Sequence, residues 1–257
     1  KCWGYNDEGQ LGYGHMHDLG DDDGEMGDDL PVVDLGTGRT AVAVSAGYEH
    51  SCAILNGGDV KCWGANDEGQ LGYGHTDALG NHDGEMGDDL PVVDLGRTAV
   101  AISAGDYHTC VILDGGDVKC WGDNFLGQLG YGHDDNLGND DDEMGGELPV
   151  VDLGTGRTAV AISAGDNFTC AILNDGNVKC WGDGDDGELG DEDATISRGN
   201  DDDEMGDKLP VVDLGTGRTA VAISTGDDFA CAILNGGDVK CWGYNDEGQL
   251  GYGHIDS

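Results

Sequence analysis

The sequence predicts an all-β protein built from repeated four-stranded antiparallel sheets, with about 60 residues per repeat. Three observations carry that prediction. The tetrapeptide Lys-Cys-Trp-Gly begins at Lys1, Lys61, Lys119, Lys179 and Lys240, in steps of 60, 58, 60 and 61 residues. Each unit is made of short runs of β-formers broken by glycine-rich turns, and no segment has helical periodicity. Each complete unit carries two cysteines ten residues apart around such a turn. Self-similarity at this period signals a propeller, a solenoid or an array. Residues 1–257 therefore read as a single repeat domain of four units and a fraction.

The first unit shows the elements in order. His15 to Asp29 is acidic and aperiodic, and reads as a loop. Leu30-Pro-Val-Val-Asp-Leu-Gly36 reads as a short strand, and Pro31 places it at a strand start or an edge because it offers no N–H. Thr37 to Thr40 is a turn. Ala41 to Gly47 alternates small and branched residues, which suits a strand crowded on both faces. Cys52 to Leu55 and Val60 to Trp63 predict a hairpin around Asn56-Gly57-Gly58-Asp59, residues that tolerate the positive φ of tight turns. The second unit omits the Thr-Gly before Arg97, which explains its shorter step. Four short strands per unit match a propeller blade. A stacked solenoid meets the same pattern.

In this hairpin Cys52 stands opposite Cys62 and Ile54 opposite Val60, a spacing that a disulfide can bridge. Cys110 with Cys120, Cys170 with Cys180, and Cys231 with Cys241 repeat the placement, so four cross-strand disulfides are expected. Buried thiols or zinc ligands are the alternatives, but the CxxC pairs and spaced histidines that zinc favours are absent. Disulfides imply an oxidising compartment, so the expected location is extracellular or on a cell surface. Cys2 would have its partner ten residues before itself, ahead of Lys1. It reads as unpaired or bonded externally, and the 257 residues read as a piece of a longer array.

Acidic residues number 53 against 11 basic ones, for a formal net charge of −42. Nine of those basic residues recur at fixed places in the repeat: Lys1, Lys61, Lys119, Lys179, Lys240, Arg39, Arg97, Arg157 and Arg218. They read as structural. Nucleic-acid binding needs clustered Lys and Arg that displace counterions from phosphates, and anionic membranes attract the same patches. No apolar run approaches the roughly 20 residues that span a bilayer. The expected partners are neighbouring copies of the chain, adjacent repeats or another extracellular protein, with no nucleic acid and no membrane insertion.

Ser45 to Leu55 reads Ser-Ala-Gly-x-x-His-x-Cys-x-Ile-Leu, and Gly58 to Gly74 reads Gly-x-Val-Lys-Cys-Trp-Gly-x-Asn-x-x-Gly-Gln-Leu-Gly-x-Gly. This pattern resembles the regulator of chromosome condensation repeat. More narrowly it is similar to the cysteine-bearing, extracellular bacterial-type version, a likeness that includes Glu25-Met26-Gly27-Asp28 and Leu35-Gly36-Thr37-Gly38-Arg39-Thr40. The resemblance implies a β-propeller of four-stranded blades, usually seven of them. Four units and a fraction would then be part of a ring, or an open array. No nucleotide-exchange residue of the family can be placed here. Other members are protein-binding propellers, including inhibitors of secreted enzymes, and fold alone does not fix function.

The acidic segments Asp18 to Asp29, Asp77 to Asp89, Asp134 to Glu147 and Asp191 to Asp207 suggest calcium, which takes six to eight oxygens in a forgiving geometry. Asp21, Asp23, Glu25 and Asp28 are the candidate ligands of the first unit. Their spacing matches no EF-hand, and Asp21-Asp22-Asp23 becomes Asn81-His82-Asp83 in the next copy. A solvated acidic surface is the alternative. His15, His75, His133 and His254 follow Tyr-Gly and sit beside aspartates, as transition-metal ligands can. The fourth unit lacks this histidine, which favours a loop role. His50 and His108 give way to Phe168 and Phe229, which favours packing over chemistry. Trp3, Trp63, Trp121, Trp181 and Trp242 read as packing between units. Asn167-Phe168-Thr169 fits a glycosylation acceptor.

A catalytic constellation is expected once in a chain, not in every repeat. No catalytic residue is assigned, and the chain is not expected to be an enzyme. The favoured expectation is a non-catalytic extracellular structural repeat protein of a fibre, appendage or surface layer. It rests on near-identical units, of which Lys1 to His15 and Lys240 to His254 are the same. The alternative is a protein-binding propeller module with one rim of varied, aromatic-rich loops. Asp191 to Gly199 departs most from its counterparts.

Overall fold

The computed structural model describes residues 1–191 and 196–255. Among them lie four three-stranded antiparallel sheets, each in the order of the sequence. The first holds β1 (Ala41–Ala46), β2 (His50–Leu55) and β3 (Val60–Gly64). The second holds β4 (Ala99–Ala104), β5 (His108–Leu113) and β6 (Val118–Gly122). The third holds β7 (Ala159–Ala164), β8 (Phe168–Leu173) and β9 (Val178–Gly182). The fourth holds β10 (Ala220–Thr225), β11 (Phe229–Leu234) and β12 (Val239–Gly243). One short 3-10 helix, Gly206–Lys208, is the helical element of the described residues.

The hairpin register is the one the cysteines predict. Cys52 pairs with Cys62 and Ile54 with Val60, and the other three sheets repeat it. The turn closes through Leu55 N–H to the Asp59 carbonyl (2.7 Å) and Gly58 N–H to the Leu55 carbonyl (2.9 Å). Gly58 has φ +88°, and a Cβ there would lie 2.6 Å from Thr98 Cβ, so the position is closed to other residues. All four disulfides are formed, with Cα–Cα separations of 4.0–4.1 Å.

The expected fourth strand is corrected by the structure. Leu30 to Gly36 and its counterparts form no strand. Each later copy makes a single bridge to the third strand of the sheet: Val93 N–H to the Val60 carbonyl, Val151 to Val118 and Val212 to Val178, each at 2.9 Å. The reason is local. Pro91 has no N–H, and its carbonyl accepts from Tyr73 Oη (3.1 Å) instead of from a neighbouring strand. Two residues past Val93, the Asp94 carboxylate caps Gly96 N–H (3.0 Å) and ends the extended run. The segment still supplies core: Leu90, Val93 and Leu95 are buried.

β1, β4, β7 and β10 lie side by side along a common axis. Their approach is too close for side chains at one position. A Cβ on Gly47 would stand 2.2 Å from the Gly105 carbonyl oxygen. The serines just before these glycines stitch one sheet to the next. Ser45 Oγ accepts from Ala104 N–H (2.9 Å), Ser103 Oγ from Ala164 N–H (2.9 Å) and Ser163 Oγ from Thr225 N–H (3.0 Å).

The two faces of each sheet serve different neighbours. Cys52, Ile54, Val60 and Cys62 pack forward against Val111, Leu113 and Trp121 of the second sheet. Cys110, Ile112, Val118 and Cys120 pack forward against Ala171, Leu173 and Trp181 of the third. Each tryptophan indole also reaches back to a main-chain carbonyl of the unit before it. Trp63 Nε1 donates to Gln10 (2.9 Å), Trp121 to Gln70 (2.9 Å), Trp181 to Gln128 (3.0 Å) and Trp242 to Glu188 (2.8 Å). Packing between units is therefore the role of these four, while Trp3 is exposed. Trp121→Ala removes a fully buried side chain and its bond. It is expected to cost about 3–5 kcal/mol of unfolding free energy, read by denaturant titration.

Candidate interaction surface

The outer loops are ordered by their own side chains. Glu85 Oε2 accepts from the N–H groups of Gly80 (2.9 Å), Asn81 (3.1 Å) and His82 (3.0 Å). Glu143 does the same with Gly138, Asn139 and Asp140. Glu25 takes Gly20 N–H at 2.7 Å and Asp22 N–H at 3.2 Å, and these bonds hold its carboxyl below the usual glutamate range. Glu25 thus caps its own loop. Asp21, Asp23 and Asp28 are exposed along that loop. Among the described residues no three His, Cys, Asp or Glu side chains gather as a metal-holding group. Residues 192–195 of the divergent segment Asp191 to Gly199 lie outside the described residues.

His75 is a loop element too. Its Nδ1 accepts from Asp77 N–H (3.1 Å), and its ring stacks on Tyr73 with centroids 6.0 Å apart. Asn66, buried under the same loop, donates to the His75 and Asp77 carbonyls (2.7 and 3.0 Å) and accepts from Leu71 N–H (2.9 Å). The repeated basic residues are structural. Lys61 Nζ donates to the Leu35 carbonyl (3.1 Å) and the Gly87 carbonyl (2.6 Å). Arg39 pairs with Asp59 at 2.6 Å, Arg218 with Asp238 at 2.7 Å, and Arg97 and Arg157 pair with Asp117 and Asp175.

Cys2 is half-buried, and burial pushes its thiol above the usual range. It lines a cleft with Val33, Leu35, Val44, Ala53 and Trp63. The Asn167 sequon begins just before β8 and runs into it. Asn167 Oδ1 accepts from Gln128 Nε2 (3.3 Å), and the buried Thr169 hydroxyl donates to the Gln128 carbonyl (3.0 Å).

Buried histidines link neighbouring sheets. His50 Nε2 lies 2.9 Å from Thr109 Oγ1, and His108 Nε2 lies 2.9 Å from Thr169 Oγ1. Burial depresses both rings, to about 4 for His50 and about 3 for His108. Phe168 fills the equivalent place in the third unit without a polar partner.

The residues between the first and second strands of each sheet collect at one end of the axis. They are Tyr48-Glu49, Asp106-Tyr107, Asp166-Asn167 and Asp227-Asp228. Tyr48 is 61% exposed, and its ring lies 5.9 Å from that of Tyr107. Glu49, Asp106 and Asp166 all act on Tyr107. Burial, then the Asp166 charge, pushes Asp106 up to about 7; protonated, it donates a hydrogen bond to Asp166. Tyr5 Oη donates to Asp7 (2.8 Å), and Asp123 N–H donates to the Tyr107 carbonyl (2.9 Å) two residues before exposed Phe125. Sequence reasoning singled out none of these residues for binding. Their one signal is variation: within near-identical units, these positions change from copy to copy.

Glu188 extends this end inward. It stands where other units have Gln10, Gln70, Gln128 and Gln249, and it is 1% exposed. Burial first, then Asp183 and Asp186, pushes it up to about 7. Glu188→Gln restores the neutral side chain. It is expected to raise stability by about 1–2 kcal/mol at pH 8, with the gain shrinking as pH falls through 7 and the glutamate protonates. Thermal melts at the two pH values check it.

Comparison with known proteins follows this geometry. Two sequence profiles described as the regulator of chromosome condensation (RCC1) repeat match the chain, one over residues 2–54, 57–112 and 115–172 and one over 41–70, 99–128, 159–188 and 220–249. The ultraviolet-B receptor UVR8 of Arabidopsis thaliana is 29% identical over 84% of this chain and 44% of its own length. The regulator of chromosome condensation of Drosophila melanogaster is 33% identical over 76% of this chain and 31% of its own. The human E3 ubiquitin-protein ligase HERC2 is 30% identical over 82% of this chain, yet over only 4% of its own length. The chain thus spans less than half of each of these relatives, and the ligase name belongs to a far larger protein. Among solved structures, human WBSCR16 superposes with a TM-score of 0.70 at 16% identity, covering 98% of this chain and 58% of that one. Prp20p of Saccharomyces cerevisiae superposes with a TM-score of 0.69 at 19% identity, covering 100% and 56%. These two likenesses establish the β-propeller fold. With the profile covering more than half of its residues, the chain belongs to the regulator of chromosome condensation (RCC1) repeat family.

Proposed function

We propose that the chain is a non-catalytic protein-binding module whose recognition surface is the acidic, tyrosine-bearing end of the sheet axis. One observation carries the reading: the strands are near-copies, while at this end exposed Tyr48, half-buried Tyr107 and their acidic neighbours differ in each copy. Repetition elsewhere serves packing, and variation at one rim is what selective recognition needs. The names of the relatives, a receptor, a regulator and a ligase, are those of regulatory proteins and lend a fibre no support. The four disulfides favour an oxidising compartment, and thus a secreted or surface-displayed parent. Cross-linking of the tagged chain in the fluid or on the surface of its source is expected to join a defined protein to residues near Tyr48 and Tyr107. Cross-links spread evenly over all units would overturn the reading.

The identity of Lys1 to His15 with Lys240 to His254 favours a second reading, a structural array in which calcium bridges acidic loops. Electron microscopy separates the two. Long regular fibres that loosen on chelation would favour the array, and discrete particles indifferent to chelation the module.

A further inference from the structure

We infer that the Tyr48–Tyr107 end of the axis is a docking surface for an arginine-bearing, extended segment of a protein partner. The inference rests on the module reading and names the chemistry of what that module holds. Three features of the surface converge on this occupant.

The first is the aromatic pair. The Tyr48 and Tyr107 rings lie 5.9 Å apart at 57° to each other, and Tyr48 is open to solvent. Tyrosine faces attract cations, and a planar guanidinium stacks on them better than a compact ammonium. The second is charge. The carboxyl groups acting on Tyr107 are Glu49, Asp166 and, once ionised, Asp106. The arginines of the repeat are spent elsewhere, since Arg39, Arg97, Arg157 and Arg218 pair with aspartates of the hairpin turns. A cation arriving here meets no like charge among the groups around Tyr107.

The third feature is a donor without an acceptor. Gln70 is fully buried, and its Nε2 has no hydrogen-bond partner. In the next unit the same atom of Gln128 points at Asp123 (2.8 Å) and Asn167 (3.3 Å). The residues at those two places around Gln70 are Ala65 and Tyr107. Its amide therefore faces the floor of the tyrosine surface, where neither side chain is an adequate acceptor, and a buried unmet donor is costly. A main-chain carbonyl of an incoming segment satisfies it. A bare metal ion offers no acceptor, and a nucleic acid is repelled by the net charge of −42.

The test uses the whole chain and a fluorescent oligopeptide of alternating glycine and arginine, followed by anisotropy at about 0.15 M salt, where distant charges are screened. Tyr48→Ala with Tyr107→Ala changes no charge and is expected to weaken binding about fivefold to tenfold. Asp106→Asn with Asp166→Asn is expected to weaken it as much. Asp21→Asn with Asp23→Asn removes two charges from an outer loop and is expected to change it less than about twofold. Replacing arginine by lysine in the peptide is expected to weaken binding to the natural chain while leaving the tyrosine variant unchanged. Equal weakening by all three variants, indifference to loss of the tyrosines, or no binding at all would overturn the inference. Melting temperatures of the variants guard against unfolding, and the Asn pair keeps a folded readout because it relieves repulsion. A cross-linked partner whose binding ignores both inner pairs removes this inference and leaves the module reading standing.

Discussion

Under native conditions a thiol reductant is expected to open Cys231–Cys241 first, and the other three disulfides only when the chain unfolds. Cys52, Cys62, Cys110, Cys120, Cys170 and Cys180 are fully buried in the junctions between sheets, whereas Cys231 and Cys241 are partly open. Attack needs access to sulfur, so junction packing sets the order. Each bridge spans a sequence separation of 10, and a loop of that size is worth about 3 kcal/mol on the loop-entropy account. Four together approach roughly 12 kcal/mol, comparable with the whole stability of an ordinary domain. Complete reduction is therefore expected to unfold the chain. Timed alkylation and mass spectrometry read the order, and circular dichroism reads the collapse. Simultaneous release of all eight thiols without loss of strand signal would contradict both the junction packing and the size of the effect.

Acid is expected to act on two opposed sets of groups. His50 and His108 have folded pKa values depressed to about 4 and about 3. The unfolded chain takes up their protons below about pH 6.5 and the folded chain does not, so their contribution is present above that pH and is lost as pH falls toward 4. The loss is about 3 kcal/mol for His50 and about 5 kcal/mol for His108, complete only below their folded values. Asp106 and Glu188, raised to about 7, work the other way. The folded chain binds their protons more readily than the unfolded one, so stability rises as pH falls through 7. The natural protein is thus expected to show a shallow profile between pH 7 and 4 that hides two steep ones. His50→Phe with His108→Phe copies the residue the third unit already uses at Phe168, and exposes the carboxyl set alone. The double variant is expected to gain stability on acidification to pH 5 while the natural chain does not. Parallel profiles for the two proteins would show that the buried rings are protonated without penalty. Urea titrations at steps of pH decide it.

Much of this architecture was legible as pattern. The cysteine spacing fixed the register of all four hairpins, because only opposed residues leave Ile54 facing Val60 and Cys52 facing Cys62. The tryptophans were legible as packing from their place in every unit, though not their reach to the carbonyl of Gln70 or Gln128. The fourth strand does not form although Val-Val-Asp-Leu has β-forming residues, because the proline before and the aspartate within it leave a single main-chain bond to the third strand. Glu25, a candidate calcium ligand by composition, also accepts main-chain N–H groups of its own loop. The copies carry that role in plain sight: Glu85, Glu143 and Glu204 keep the glutamate while Asp21-Asp22 becomes Asn81-His82 in the next unit, as suits a residue bonded to main-chain amides. The tyrosine end was invisible for a different reason. Tyr48 and Tyr107 meet only because successive sheets sit side by side, and a reading taken unit by unit cannot bring together residues a full repeat apart.

The indole bonds between units also give the fold a direction in time. A tryptophan always clasps the carbonyl of the unit made before it, never the one made after. During synthesis each loop stays unclasped until the following hairpin has left the ribosome, so closure trails elongation by one repeat. Because Trp63, Trp121, Trp181 and Trp242 each guard one junction, single-tryptophan versions of the chain turn that sequence of closures into a sequence of fluorescence changes, one per seam.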